Sequence, residues 1–160
     1  MFDYTKTVVG LDVHKESIVA AVLPPDSDRV ALTTKFENTP VALKTFVERL
    51  RSRGALTFVY EAGPCGYQVH RDLTAQGQEC VVIAPGLIPK RPGDKVKTDR
   101  RDAEKLAQLH RAGQLTAVNV PTRADEADRD LVRARGRAVR AVARAAPPGE
   151  VPAEARTDLA

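Results

Sequence analysis

Only four residues, Val13 to Glu16, separate two β-branched runs, TVVGLD (Thr7 to Asp12) and SIVAAVL (Ser17 to Leu23). So short a connection cannot carry a crossover, because parallel strands need a dozen or more residues between them. The two runs must therefore form a hairpin. A third run, RVALTTKFE (Arg29 to Glu37), alternates apolar and polar residues like a half-exposed strand and follows the second after the turn formers PPDSD. Three strands joined this tightly predict an antiparallel meander.

The pattern then changes. Thr39 stands as an N-cap before Pro40, and Leu43, Phe46, Val47 and Leu50 share one face of a helix that stops at Gly54. LTFVYE (Leu56 to Glu61) is continuously apolar until its final acid, as befits a parallel strand buried on both faces. Beyond a GPCG turn, Tyr67 to Gln76 reads as a helix closed by Gly77, and CVVIA (Cys80 to Ala84) as the last strand. A basic loop, PGLIPKRPGDKVK (Pro85 to Lys97), leads into another helix that opens with KTDRRDAEKLA. The order βββαβαβα predicts an α/β domain on a mixed sheet, antiparallel first and parallel after the crossovers. An arginine-rich amphipathic segment, roughly Arg123 to Arg144, carries a thin stripe of Leu131, Ala134, Ala138 and Val142. Beyond Ala146 too little apolar material remains to pack, so disorder is expected there. The expected division is 1–118 for the domain, 119–146 for a helical linker and 147–160 for a tail.

Composition narrows the class. Hydrophobic residues at 42% and charged residues at 29% describe a soluble globular chain, and a net charge of +4 mildly favours an anionic partner. No apolar run approaches the roughly 20 residues of a membrane span. The N-terminus lacks the segments of a secretion signal, so a cytoplasmic location is expected. Two cysteines without CxxC spacing and three histidines do not make a zinc site, and the cysteines read as reduced, partly buried thiols.

Two aspartates stand three apart at the head of the last domain helix, flanked by Arg100 and Arg101. The apolar stripe Ala103, Leu106, Ala107 extended back by three and four reaches Asp99 and Asp102, which places both on the buried side. One reading is a capping arrangement, Asp99 at the N-cap and Asp102 at N3. The other joins them to Asp12 and Glu61, the terminal acids of two strands that the topology makes parallel neighbours. Four converging carboxylates repel one another unless some protonate or divalent cations lie between them. Mg²⁺ takes oxygen ligands, and a pair of ions can serve phosphoryl transfer. The turn GLDVHKE also has the acid of a sugar-kinase phosphate turn, but Val13, His14 and Lys15 follow where glycine and hydroxyl residues belong, and no second glycine-rich loop is present. His14, Lys15, Lys90, Arg91, Lys95, Lys97, Arg100 and Arg101 are the candidate nucleic-acid contacts.

The motifs GLDVHK, YEAGPCGY and KTDRRDAEKLA together resemble the N-terminal DEDD domain of bacterial transposases in the insertion-sequence family numbered one hundred and ten, which includes Piv-like DNA invertases. The resemblance covers roughly Thr7 to Arg140. It implies an RNase H-like (RuvC-like) fold, with Asp12, Glu61, Asp99 and Asp102 as catalytic ligands of Mg²⁺ or its substitute Mn²⁺. It further implies site-specific DNA recombination guided by a structured bridge RNA, with protein contacts largely to backbone and shape. The helix from Arg123 is similar to the start of a coiled-coil linker, which implies homo-oligomers or assembly with a full-length transposase. Family members continue into a domain with a serine nucleophile. The serines here, Ser17, Ser27 and Ser52, all precede Glu61, so the expectation is a truncated catalytic half, inactive alone. A nucleic-acid-binding remnant or regulator without catalysis, and a resolvase-like nuclease, are the alternatives on the same fold.

Overall fold

The computed structural model describes residues 5–63, 65–89 and 98–145. Five strands, β1 (Thr7–Val13), β2 (Ser17–Leu23), β3 (Leu32–Glu37), β4 (Leu56–Glu61) and β5 (Glu79–Ile83), form one sheet in the order β3-β2-β1-β4-β5. The helices are α1 (Pro40–Leu50), α2 (Gln68–Ala75), α3 (Asp99–Arg111) and α4 (Arg123–Ala145). The βββαβαβα order expected of an RNase H-like domain is the observed one. β1 pairs antiparallel with β2, and β2 with β3, while β1–β4 and β4–β5 are parallel.

Both faces of the sheet are covered over β1, β2 and β4, which is why these strands are almost continuously apolar, while the edge strand β3 stays half-exposed. On one face Val9, Leu11, Ile18, Phe58 and Tyr60 pack with Leu43, Phe46, Val47 and Leu50 of α1 and Val69 and Leu73 of α2. The alternate residues Val8, Val59 and Ile83 meet Leu106 and Ala107 of α3, and Val19 and Ala21 meet Ala103. Thr39 caps α1 as the sequence predicts, accepting from the Ala42 amide.

Some boundaries differ from expectation. β3 begins at Leu32 rather than Arg29, because the Ser27 hydroxyl bonds both the amide and the carbonyl of Arg29 and keeps the chain in a turn. α2 is shorter by one residue at each end and β5 is shifted back by one. The chain divides into two compact units at Val120/Pro121. In the second, α4 leaves Leu131 and Val142 exposed. Residues 146–160, expected to be disordered, lie outside the described residues. Cys65 and Cys80 are free and half-buried, and burial pushes the Cys80 thiol up to about 12. Among the described residues no helix is long and apolar enough to cross a membrane.

Candidate metal centre

Strand alternation puts Val8, Gly10 and Asp12 on the α3 side of β1. Gly10 lets the helix come close: a Cβ there would lie 2.1 Å from the Ala103 carbonyl oxygen and 2.8 Å from the Ala107 nitrogen. The C-terminal end of α3 is fixed beside the start of β1, where Arg111 donates to the carbonyls of Lys6 and Leu23. Its N-terminal end therefore reaches the opposite end of β1, where Asp12 stands.

The cap of α3 decides what Asp99 is free to do. Thr98, with extended backbone (φ −137°, ψ 141°), is the N-cap, and its hydroxyl accepts from the Arg101 amide. The Asp102 amide bonds the Thr98 carbonyl at 3.0 Å. Capping by Asp99, one of the two sequence readings, is therefore replaced by capping through Thr98, and Asp99 becomes the first helical residue.

Asp99 faces the end of β1. His14 Nε2 lies 3.0 Å from Asp12 Oδ2 and 3.4 Å from Asp99 Oδ2. One donor atom from each of Asp12, His14 and Asp99 lies within 4.8 Å of the other two. His14 is firmly based, since its amide donates to the Ser17 carbonyl at 2.9 Å and its carbonyl accepts from Asn38 Nδ2 at 2.8 Å. Burial raises the Asp12 pKa above the ordinary carboxylate value. His14 lowers it, while the charges of Asp99 and Asp102 raise it further.

The other candidate residues lie as follows. Asp102 is half-buried one turn along α3, near enough for its charge to act on Asp12. Glu61 ends β4 one step past the last β1–β4 pair, Leu11 with Tyr60, and so stands level with Asp12. It is exposed, and neither it nor Asp102 joins the three-residue group. Lys15, Arg100 and Arg101 are exposed, and Arg100 pairs with Glu104 at 2.9 Å. Lys90, Arg91, Lys95 and Lys97 lie outside the described residues. His14, read from sequence as a phosphate or metal-shell contact near the acids, stands beside Asp12 and Asp99, in the turn just past the end of β1.

Two carboxylates and one imidazole, carried by a strand end and a helix start, make a donor set that suits a divalent cation. Burial is the main cause of the raised Asp12 pKa, and a cation there would offset it and the smaller contribution from the charges of Asp99 and Asp102.

A transposase family model of the DEDD, IS110 type matches residues 9–146. The chain belongs to this IS110 family of DEDD transposases. The y4qE protein of Sinorhizobium fredii (strain NBRC 101917 / NGR234), which carries a transposase name, is 44% identical over 139 residues, covering 86% of this chain and 36% of that protein. The transposase for insertion sequence element IS1533 of Leptospira borgpetersenii is 39% identical over 132 residues, covering 81% and 38%. The chain thus spans little more than a third of the length of these two relatives. Among solved structures, RuvC of T. thermophilus in complex with a Holliday junction substrate overlays with a TM-score of 0.48 at 11% identity, covering 71% of this chain and 99% of that one.

Proposed function

We propose that this chain is the metal-dependent DEDD part of a transposase that recombines DNA at specific sites under the direction of a structured guide RNA. The observation that carries the reading is the meeting of Asp12 with Asp99, 87 residues apart in sequence, at one end of β1. Family membership supports the reaction class, and the net charge of +4 suits a polyanionic substrate. Asp12 and Asp99 would hold Mg²⁺, or Mn²⁺ in its place, with Glu61 and Asp102 completing the acidic set. The ion would supply Lewis-acid stabilisation of charge on the phosphoryl oxygens.

The chain's own residues do the rest. Asp12 is fixed by the sheet and Asp99 by the capped first turn of α3, so the carboxylates keep their places without a bound ion. Exposed Lys15 and Arg101, with Lys90, Arg91, Lys95 and Lys97 of the basic loop, would track the backbone phosphates. The C-terminal helix would pair with a second copy or with a full-length transposase.

Isothermal titration of the full chain with Mg²⁺ and Mn²⁺, in the wild type and Asp12→Asn, tests the metal step. Saturable binding that the variant loses is expected. A folded wild type that takes up neither ion, but still binds DNA or RNA, would replace the reading with that of a nucleic-acid-binding module without catalysis.

A further inference from the structure

We propose that His14 is a direct ligand of the divalent ion, a nitrogen donor beside the oxygens of Asp12 and Asp99, and that it shifts the preference of the site from Mg²⁺ toward Mn²⁺. The inference rests on the metal reading above and adds a residue that the four acids do not include.

Three observations carry it. The first is distance. Neighbouring donors in an octahedral shell with bonds of roughly 2.1 Å are about 3.0 Å apart. The His14 nitrogen is hydrogen-bonded to Asp12 Oδ2 at 3.0 Å and lies 3.4 Å from Asp99 Oδ2, so an ion that replaced the shared proton would find donors close to the spacing of one shell. The second is rigidity. Ser17 and Asn38 hold the His14 backbone on both sides, so the ring is presented from a fixed turn rather than a swinging loop. The third is membership. Among the described residues the group that can share an ion is Asp12, His14 and Asp99, whereas Glu61 and Asp102 stand outside it.

The donor types give the consequence. Carboxylates and water suit both Mg²⁺ and Mn²⁺, but the hard Mg²⁺ gains least from a nitrogen donor, while Mn²⁺, as a transition ion, accepts imidazole more readily. A mixed set of two oxygens and one nitrogen should therefore favour Mn²⁺ more than an all-carboxylate set would. A histidine serving only as counter-charge makes the opposite forecast. Its removal would leave the acids more negative and would tighten both ions.

The test uses the full chain and reads affinity and the ring itself. Calorimetric titrations with Mn²⁺ and Mg²⁺ are made on the wild type, His14→Ala and Asp12→Asn. Expected is a loss of about tenfold or more in Mn²⁺ affinity in His14→Ala, with Mg²⁺ changed by less than about threefold. Unchanged or tighter Mn²⁺ binding in His14→Ala overturns the inference while leaving the metal reading intact. Unchanged binding of both ions in Asp12→Asn overturns the metal reading, and the inference falls with it. Ring-nitrogen NMR of the wild type, with Zn²⁺ as a diamagnetic probe, is independent of any variant. The His14 Nε2 resonance should shift on saturation while those of His70 and His110 stay in place. A stationary His14 resonance at saturating Zn²⁺ also overturns the inference.

Discussion

At the strand end the carboxyl of Asp12 is partly withdrawn from water and faces the charges of Asp99 and Asp102, so its pKa in the folded state lies above 3.8. Between that value and the raised one the native state binds more protons than the unfolded chain, and stability falls as pH rises through the window. At neutral pH the loss is complete. Asp12→Asn should therefore raise the Tm of the metal-free protein at neutral pH and abolish the further rise that Mn²⁺ gives the wild type, which thermal melts with and without the ion will show. The sign reverses for His70 and His110. Burial lowers both, aided by Arg71 for His70 and by Arg111 for His110, with Glu79 opposing at His110. Their unfolded forms take up protons from about pH 6.5 downward while the folded forms resist, so stability drops as pH falls through that range. The urea midpoint should fall between about pH 7.5 and about pH 5.5, and less so in the double variant His70→Gln/His110→Gln. Glu79, lowered chiefly by its hydrogen bond from Lys6, adds stability that goes only as pH falls below 4.5. Asp12 and Asp99 were legible because each extends an apolar pattern of its own element. Sequence could not reveal that Thr98 caps α3 in place of Asp99, since either residue has the oxygen for it.

The helix that carries Asp99 is gripped in the middle and at its far end, and each grip can be tested. In the middle, Gly10 is the only residue type that fits beneath Ala103 and Ala107, for a Cβ would overlap backbone atoms that cannot swing aside. Gly10→Ala should lift α3 from β1, cost about 1–3 kcal/mol in denaturant unfolding, and weaken metal binding because Asp99 moves away from Asp12. At the far end the buried Arg111 guanidinium donates to the carbonyls of Pro24 and Leu23 at 2.9 and 3.0 Å, and to those of Pro25 and Lys6 at 3.3 Å. Arg111→Met fills the space but leaves those acceptors unmet, so a loss of about 2–4 kcal/mol is expected in the same assay. The meander and the two parallel additions were readable because connection length and apolar continuity dictate strand direction. The start of β3 was not, since Val30 and Ala31 suit a strand as well as Leu32 does and only the Ser27 turn delays it. The grip of Arg111 was equally hidden, because its acceptors lie some 86 to 105 residues away and carry no side-chain signature.

For the whole molecule, the proposed function turns on where its positive charge would meet a polyanion. The first compact unit carries the acids at the end of β1, and the second presents the exposed arginines of α4, among them Arg133, Arg137 and Arg140. On the proposed function, the acidic centre would repel nucleic acid unless cations lay between them, so affinity would come from basic side chains elsewhere. The sequence offers the loop with Lys90, Arg91, Lys95 and Lys97 and the arginines of α4. Each phosphate that a basic side chain neutralises releases condensed counterions and contributes roughly −0.9 to the slope of log affinity against log salt for duplex DNA. Replacing the four loop residues with glutamine should weaken binding most at low salt and make that slope shallower by up to about 3.6, in proportion to the number of phosphates those residues neutralise. Asp12→Asn should change the slope by no more than about one phosphate's share, because it alters the ion site alone. Fluorescence anisotropy across a salt series, with duplex DNA and structured RNA as separate probes, measures both. A slope unchanged by the four substitutions would move the electrostatic interaction from the loop to α4, where the same titration on Arg137→Gln and Arg140→Gln would then show the shallower slope.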